Sequence, residues 1–238
     1  MTVIMPLAPS PNAILAGLPK AVIDLADRLG AQANCRATVA LSQSGRMRAS
    51  AGAAWQAFTA EQMIDTTQCA FDWRARSGPL GMVHIRDALI DGAGQLDVRA
   101  LGLVPLAQVL PSAELTRGEL IRYLAEIALA PDAILQNPDI RWSDEGERRL
   151  IAAAGSGPTA AEVVLTLDRE GRIGEAYAPE RGALVDGVTV LKPWRGVFSD
   201  YRLHNGVWLP FFGEVSWGGP EGEWAYWQGH MQTWSRRG

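Results

Sequence analysis

The stretch that most constrains the fold is Lys192 to Trp217, KPWRGVFSDYRLHNGVWLPFFGEVSW. Asn-Gly between two apolar runs signals a β-hairpin, because a type I′ turn needs positive φ at both central residues. With Asn205 and Gly206 in that turn, His204 opposes Val207, Leu203 opposes Trp208 and Tyr201 opposes Pro210. Side chains alternate along each strand. One face then carries Val197, Ser199, Tyr201, Leu203, Trp208, Phe212 and Glu214. The other carries Phe198, Asp200, Arg202, His204, Val207, Leu209, Phe211, Val215 and Trp217. A sheet with one wet side alternates apolar in and polar out, and neither face does so here. Either one face packs on a core or helix while the other lines a cavity, or long polar side chains sit at the rim of an ordinary two-sided sheet.

The rest of the chain extends this sheet. Period-two segments occur at Cys35–Ser50 with a turn at Ser44-Gly45, Thr66–Arg76, Met82–Asp91, and Gln95–Leu110 with a bend at Gly102 or Pro105. More follow at Glu162–Leu167, Arg172–Ala178, Val188–Leu191 and Glu223–Trp234, and Trp55–Ile64 fits either a strand or a helical turn. Leu18, Val22, Leu25 and Leu29 recur at helical spacing, with Pro19 at the first turn and Gly30 as a C-cap. Thr116-Arg-Gly-Glu119 matches a capping box, so a second helix is expected from there to about Ala130, stopped by Pro131. A third, weaker helix is expected over Ser143–Ala154. The expectation is an α+β single domain over residues 1–238, with residues 1–11 a loose Pro-rich arm. It is a large curved antiparallel sheet of about ten strands with helices packed against it.

Composition excludes several classes. Hydrophobic residues make up 47% of the 238 and the net charge is −4, so a basic nucleic-acid or membrane footprint is not expected. No apolar run approaches a membrane span, and the N-terminus lacks a basic region followed by an apolar stretch. Cytoplasmic location is the simplest expectation. Cys35 and Cys69 are too few for a disulfide framework and are expected as buried thiols. No dinucleotide, phosphate-loop, zinc or nucleophile-elbow motif occurs, so no cofactor and no metal site is expected.

Four constellations remain. Arg122-Tyr123-x-x-Glu126 could bind a carboxylate or move protons, or be a solvated helix face with an ordinary ion pair; Leu120, Ile121, Leu124, Ile127 and Ala128 form the helix's apolar face. On a strand His84 and Arg86 share one face and Asp87 takes the other. In the hairpin, Tyr201 and Glu214 share one face, where a carboxyl among aromatics could serve as acid or base. Six of the nine tryptophans, from Trp194 to Trp234, crowd the C-terminal strands, lining either a pocket or a core.

Several phrases together resemble an uncharacterised bacterial family of unknown function: Leu18-Pro19-x-x-Val22, Trp55-x-x-Phe58-x-Ala60-x-Gln62, Phe71-x-Trp73-x-Ala75, Arg86-Asp87, Arg122-Tyr123-Leu124-x-Glu126, Pro193-Trp194-x-Gly196 with Tyr201, and Pro210-x-x-x-Glu214-x-x-Trp217. The shape is also similar to the lipoprotein-carrier fold, an open half-barrel around an apolar cavity. The resemblance raises Arg122, Tyr123 and Glu126 to candidate site residues, with Arg86, Asp87, Trp194, Tyr201, Glu214 and Trp217 as partners. The resulting expectation is a hydrophobic small molecule bound in the concave sheet and transformed by cofactor-free acid–base chemistry, such as isomerisation, elimination or cyclisation. Glu126 or Glu214 would be the base, Tyr201 or Tyr123 the acid and Arg122 the anion holder. Trp194, Trp208, Trp217, Phe212, Arg86, Asp87 and His84 would contact the ligand. The alternatives are a non-catalytic carrier of a lipid or other hydrophobic ligand and a structural or partner-binding module.

Overall fold

The structure, a computed structural model, describes residues 16–35, 38–185, 188–220 and 222–237; the arm expected over residues 1–11 lies outside them. The described residues include one 13-stranded sheet. Its strands are β1 (Thr38–Met47), β2 (Gln56–Asp65), β3 (Phe71–Ser77), β4 (Val83–Ile90), β5 (Ala93–Ala100), β6 (Val104–Val109), β7 (Arg141–Gly146), β8 (Arg149–Ala154), β9 (Ala161–Leu167), β10 (Ile173–Val185), β11 (Val188–His204), β12 (Val207–Trp217) and β13 (Trp224–Arg237). The order across the sheet is β6-β5-β4-β3-β2-β1-β13-β12-β11-β10-β9-β8-β7. Two meanders are therefore joined where the first strand pairs with the last, antiparallel, from Thr38 opposite Arg237 to Met47 opposite Trp227. β6 and β7 stay unpaired with each other. The sheet is an open half-barrel, as expected, with more strands than the expected ten.

The additional strands come from turns that periodicity missed. Leu101 and Gly102 both have positive φ (53° and 71°), so the expected bent strand is the hairpin β5/β6. The helix expected over Ser143–Ala154 is also a hairpin, β7/β8, turning at Glu147 and Arg148 with φ of 49° and 64°. Its second strand buries Leu150, Ala152 and Ala154, a period of two that outweighs the helix propensity of alanine and glutamate. Conversely, Ser44-Gly45 is no turn. β1 runs straight through it, and Gly45 is required by close approach: a Cβ there would lie 2.0 Å from the Gln228 carbonyl oxygen. Trp55–Ile64 resolves as strand β2, burying Phe58, Ala60, Gln62 and Ile64 in alternation.

The central hairpin folds as its turn dictates. Asn205 and Gly206 have φ of 50° and 81°, and Tyr201, Leu203 and His204 oppose Pro210, Trp208 and Val207. Val207 and Leu209 are fully buried beside the first helix, α1 (Lys20–Leu29). That helix buries Val22, Leu25, Ala26 and Leu29 and is closed by the Gly30 N–H on the Ala26 and Asp27 carbonyls. It covers the barrel end formed by the Gly206 and Gly171 turns.

Helix α2 (Ala113–Ala125) lies in the concavity and is buried on nearly every side, from Thr116 and Glu119 to Tyr123 and Ala125. Its start corrects the capping-box expectation. Ser112 is the N-cap, accepting from the Leu115 N–H at 3.1 Å, and Thr116 sits inside the helix, accepting from the Gly94 N–H at 3.0 Å. The helix ends at Ala125, a 3-10 turn covers Glu126–Ala128, and the short helix α3 (Ala133–Gln136) follows Pro131. Asp132, fully buried, accepts from Arg236 Nε and Nη2 at 2.7 and 2.9 Å and from the Gln32 N–H at 2.8 Å. This ties the α1 exit, the α3 start and the end of β13 together. Cys35 and Cys69 are part-buried rather than buried. Among the described residues no helix is long and apolar enough to cross a membrane.

Candidate functional site

Between α2 and the concave sheet lies a cavity of about 480 Å³. Odd-numbered positions of β1, β3 and β4 face it, and β11 to β13 supply the opposite wall. Trp73, Ile85, Leu129, Trp194, Phe198, Trp227 and Met231 make the wall largely apolar. Met47, Arg48, Ala53, Ala54, Ser77 and Val83 line the mouth, at the barrel end away from α1.

One side of the cavity is charged. Arg122 donates from Nε to Glu126 Oε1 at 2.9 Å and from Nη1 to Asp87 Oδ2 at 2.5 Å. Its guanidinium lies 4.9 Å from the Phe71 ring centroid and 5.0 Å from that of Trp73. Gln62 Nε2 donates to the other Glu126 oxygen at 2.5 Å. The Arg122, Asp87 and Glu126 side chains are 14%, 14% and 16% exposed, far below a solvated helix face. Beside them Arg181 donates to the Gly118 carbonyl at 3.1 Å, approaches Glu119 Oε2 at 3.7 Å and lies near the Trp194 and Trp217 rings. Burial works against the Arg122 charge, but Glu126 and Asp87 outweigh it and hold the guanidinium firmly protonated. Burial, followed by the neighbouring Asp87 charge, pushes the Glu119 carboxyl well above the usual range, against the pull of Arg181 and Arg122.

The expected site residues divide into two groups. Arg122, Glu126 and Asp87 meet in one network on the cavity wall, and Trp194 also borders the cavity. The β12 backbone at Phe212 and Glu214 borders it too, but the Phe212 ring packs on exposed His230 on the outer face, with centroids 4.9 Å apart. Trp217 stands behind Arg181, stacked on Tyr226. The Glu214 carboxylate is turned away, however. Its neighbour Val215 pairs with Trp227, which stacks on the buried Phe58, so Glu214 takes the outer face, where it accepts from Gln228 Nε2.

Tyr123 is buried, but its hydroxyl donates to the Asp65 carbonyl at 2.8 Å and accepts from Asn137 Nδ2 at 2.8 Å. Tyr201 donates to the Ile173 carbonyl at 2.7 Å, and Arg172 covers both its ring and that of Trp208. Burial raises both phenols far above their ordinary range. His84 and Arg86 project to the outer face and Asp87 to the inner one, as strand alternation predicts. Arg86 is held there by Asp72 at 2.9 and 3.1 Å.

Sequence reasoning missed Gln62, Glu119 and Arg181. Gln62 left a signal, as a polar residue at the buried parity of the Phe58, Ala60, Ile64 strand. Glu119 was masked by its apparent capping role. Arg181 follows an irregularity between Ala178 and Arg181, which breaks the alternation that would have placed it. Among the described residues no group of three or more His, Cys, Asp and Glu side chains is placed to hold a metal ion.

Comparison with solved structures agrees with the architecture. A LolA superfamily protein from Nitrosomonas europaea superposes with a TM-score of 0.50 at 11% identity, over 92% of this chain and 93% of that one. A domain provisionally assigned as an outer membrane lipoprotein-sorting protein, from Vibrio parahaemolyticus, gives 0.51 at 10% identity over 93% and 92%. A DUF1329 family protein from Desulfovibrio piger gives 0.50 at 12% identity over 91% and 92%. At such identities the likeness is one of fold. No curated protein matches the chain. The model of a family of unknown function, DUF6544, matches residues 9–229, nearly the whole sequence, and the chain therefore belongs to the DUF6544 family.

Proposed function

We propose that this protein is a non-catalytic carrier that holds a hydrophobic small molecule in its concave cavity. The observation that carries the reading is the cavity itself. Its volume of about 480 Å³ falls within the roughly 300–1,000 Å³ of small-molecule sites, and it combines an apolar wall with a few grouped polar side chains. Proteins of the same fold include one assigned to lipoprotein sorting, which is in keeping with a carrier.

The acid–base alternative has less support. Its two candidate acids, Tyr123 and Tyr201, hold their protons on main-chain carbonyls. Both oxygens of its candidate base Glu126 are engaged by Arg122 and Gln62, and Glu214 accepts from Gln228 on the outer face. A general acid or base needs hydrogen-bond reach to the reacting group, and a single engaged carboxylate does not make an acid–base pair.

Native mass spectrometry of the purified protein, followed by denaturing analysis of anything retained, tests the carrier. An apolar molecule bound one to one is the expected result. Ala53→Trp, which fills the mouth without touching the core, should reduce its retention by about tenfold or more. A protein that arrives empty and shows no binding of alkyl ligands that strengthens with chain length would sink the reading.

A further inference from the structure

Arg181 reaches the cavity because β10 is irregular. Ala176 and Ala178 are buried, Pro179 and Glu180 are exposed, and the register shift between Ala178 and Arg181 returns Arg181 and Ala183 to the buried face. A bulge re-aims a side chain in this way without ending the strand. The guanidinium then lies 5.0 Å from the Trp194 ring centroid and 5.8 Å from that of Trp217, on a side chain only 9% exposed.

What this guanidinium lacks is a carboxylate at hydrogen-bonding distance. Nε donates to the Gly118 carbonyl at 3.1 Å. Nη1 and Nη2 make no hydrogen bond among the described residues. The carboxyl that approaches them, Glu119, stands 3.7 Å away at Oε2, and that oxygen has no hydrogen-bond partner itself. The other ion pairs of the described residues lie at 2.5–3.3 Å, and an ionised carboxylate facing a guanidinium closes to about 2.7–2.9 Å. The stand-off is that of a neutral acid. Burial and the Asp87 charge favour the same state, with the Glu119 proton directed at Asp87. Asp87 and Glu126 both accept from Arg122. Two arginines therefore line the charged side of the cavity: one holds two carboxylates and the other holds none. A guanidinium this deeply buried is costly without a counter-charge. Its Nη groups are not sealed within protein, so they face whatever occupies the cavity.

On this basis, and resting on the carrier reading, we propose that Arg181 is the head-group anchor of the cavity and that the ligand is a single-chain amphiphile with a carboxylate head. The carboxylate takes the Nη1–Nη2 edge through two parallel N–H···O bonds, the planar match that a guanidinium offers. It supplies the missing counter-charge and leaves the Arg122 network and the Nε–Gly118 bond in place. The apolar wall of Ile85, Leu129, Phe198 and Met231 is left for the chain. An ammonium head has no such place: Asp87 and Glu126 are held by Arg122, and beside Arg181 it meets like charge. Arg48, at the mouth, is the rival anchor. Its Nε and Nη1 donate to the Ala225 and Ala51 carbonyls, but it is only half-buried, so water already solvates its charge.

The test is calorimetric titration with decanoate, decanol and decylamine at neutral pH and below micelle formation. Decanoate should bind at least about tenfold tighter than decanol, as a charge-assisted pair implies, and decylamine no tighter than decanol. Arg181→Met keeps an unbranched stem against Trp194 and Trp217; it should bring decanoate down to the level of decanol and leave decanol nearly unchanged. Arg48→Ala should leave the advantage of decanoate in place. If Arg181→Met does not fold, the ranking on the unaltered chain and on Arg48→Ala decides the matter. Decanol or decylamine binding as tightly as decanoate overturns the inference and leaves the carrier reading standing. So does a decanoate preference that Arg48→Ala removes, or one that Arg181→Met leaves intact. If none of the three binds, the carrier reading itself fails and the inference falls with it.

Discussion

Arg122→Met is the sharpest probe of the charged cluster. Methionine keeps an unbranched apolar stem against Phe71 and Trp73 and retains a sulfur–aromatic contact, so the change removes the charge more than the packing. It strands Asp87 and Glu126, whose side chains are 14% and 16% exposed. Removing one partner of a buried ion pair costs about 3–5 kcal/mol, whereas an exposed i, i+4 pair is worth only about 0.3–0.5 kcal/mol. For a chain of this size each kcal/mol shifts Tm by about 2–4 °C, so a loss of roughly 6–20 °C separates the buried network from a surface pair. The deficit should also depend on pH. Neutralising the uncompensated charge offsets the loss, so the variant falls furthest behind near neutral pH and recovers as the pH falls. Thermal unfolding followed by circular dichroism between about pH 4 and pH 8 reads both quantities. Adding Asp87→Asn and Glu126→Gln to Arg122→Met should restore much of the loss, since replacing a whole buried network costs less than breaking it. A deficit under about 1 kcal/mol that stays flat with pH would refute the reasoning.

Other perturbations follow from the same geometry. Glu119 has its carboxyl pKa raised by burial and Asp87, so its stabilising effect is full below the unfolded carboxyl pKa and is lost as pH rises towards the folded value. Glu119→Gln, which cannot ionise, should therefore gain on the unaltered protein in urea midpoint from about pH 5 to pH 8, and a difference constant with pH would count against this. Asp132→Ala leaves Arg236 without its bidentate partner and the Gln32 N–H without its acceptor; a loss of about 3–5 kcal/mol in denaturant unfolding is expected. Gly45→Ala places a Cβ 2.0 Å from the Gln228 carbonyl oxygen and should cost about 1–3 kcal/mol or more by forcing β1 from β13, while a turn glycine with open space would tolerate it.

Local chemistry was legible where one residue type has few conformational choices. Asn205-Gly206 set the register of β11 against β12 to the residue, because positive φ at two successive positions admits little else. The period of Val22, Leu25 and Leu29 found α1, and strand alternation put His84 and Arg86 opposite Asp87. Periodicity failed where a tertiary contact overrode it. Gly45 looked like a turn because close approach of two strands and a bend both favour glycine, and only the partner strand distinguishes them. Residues 143–154 have helix-forming composition, yet the sheet's free edge takes them as a hairpin.

The candidate site shows the same division. The Arg122–Glu126 spacing is written in the sequence as an i, i+4 pair, and so is the choice between a cavity and a solvated face. Which of these holds depends on α2 lying inside the sheet, and that follows from the pairing of β1 with β13, the strands furthest apart in the chain. The sequence by itself therefore determined the class of fold, the central hairpin and the residue types able to carry charge. Only the tertiary structure joined Glu119, Arg122 and Glu126, on α2 and the turn that follows it, to Asp87 on β4 and Arg181 on β10, because these elements are far apart in the chain and the burial of the charges is encoded in no local pattern.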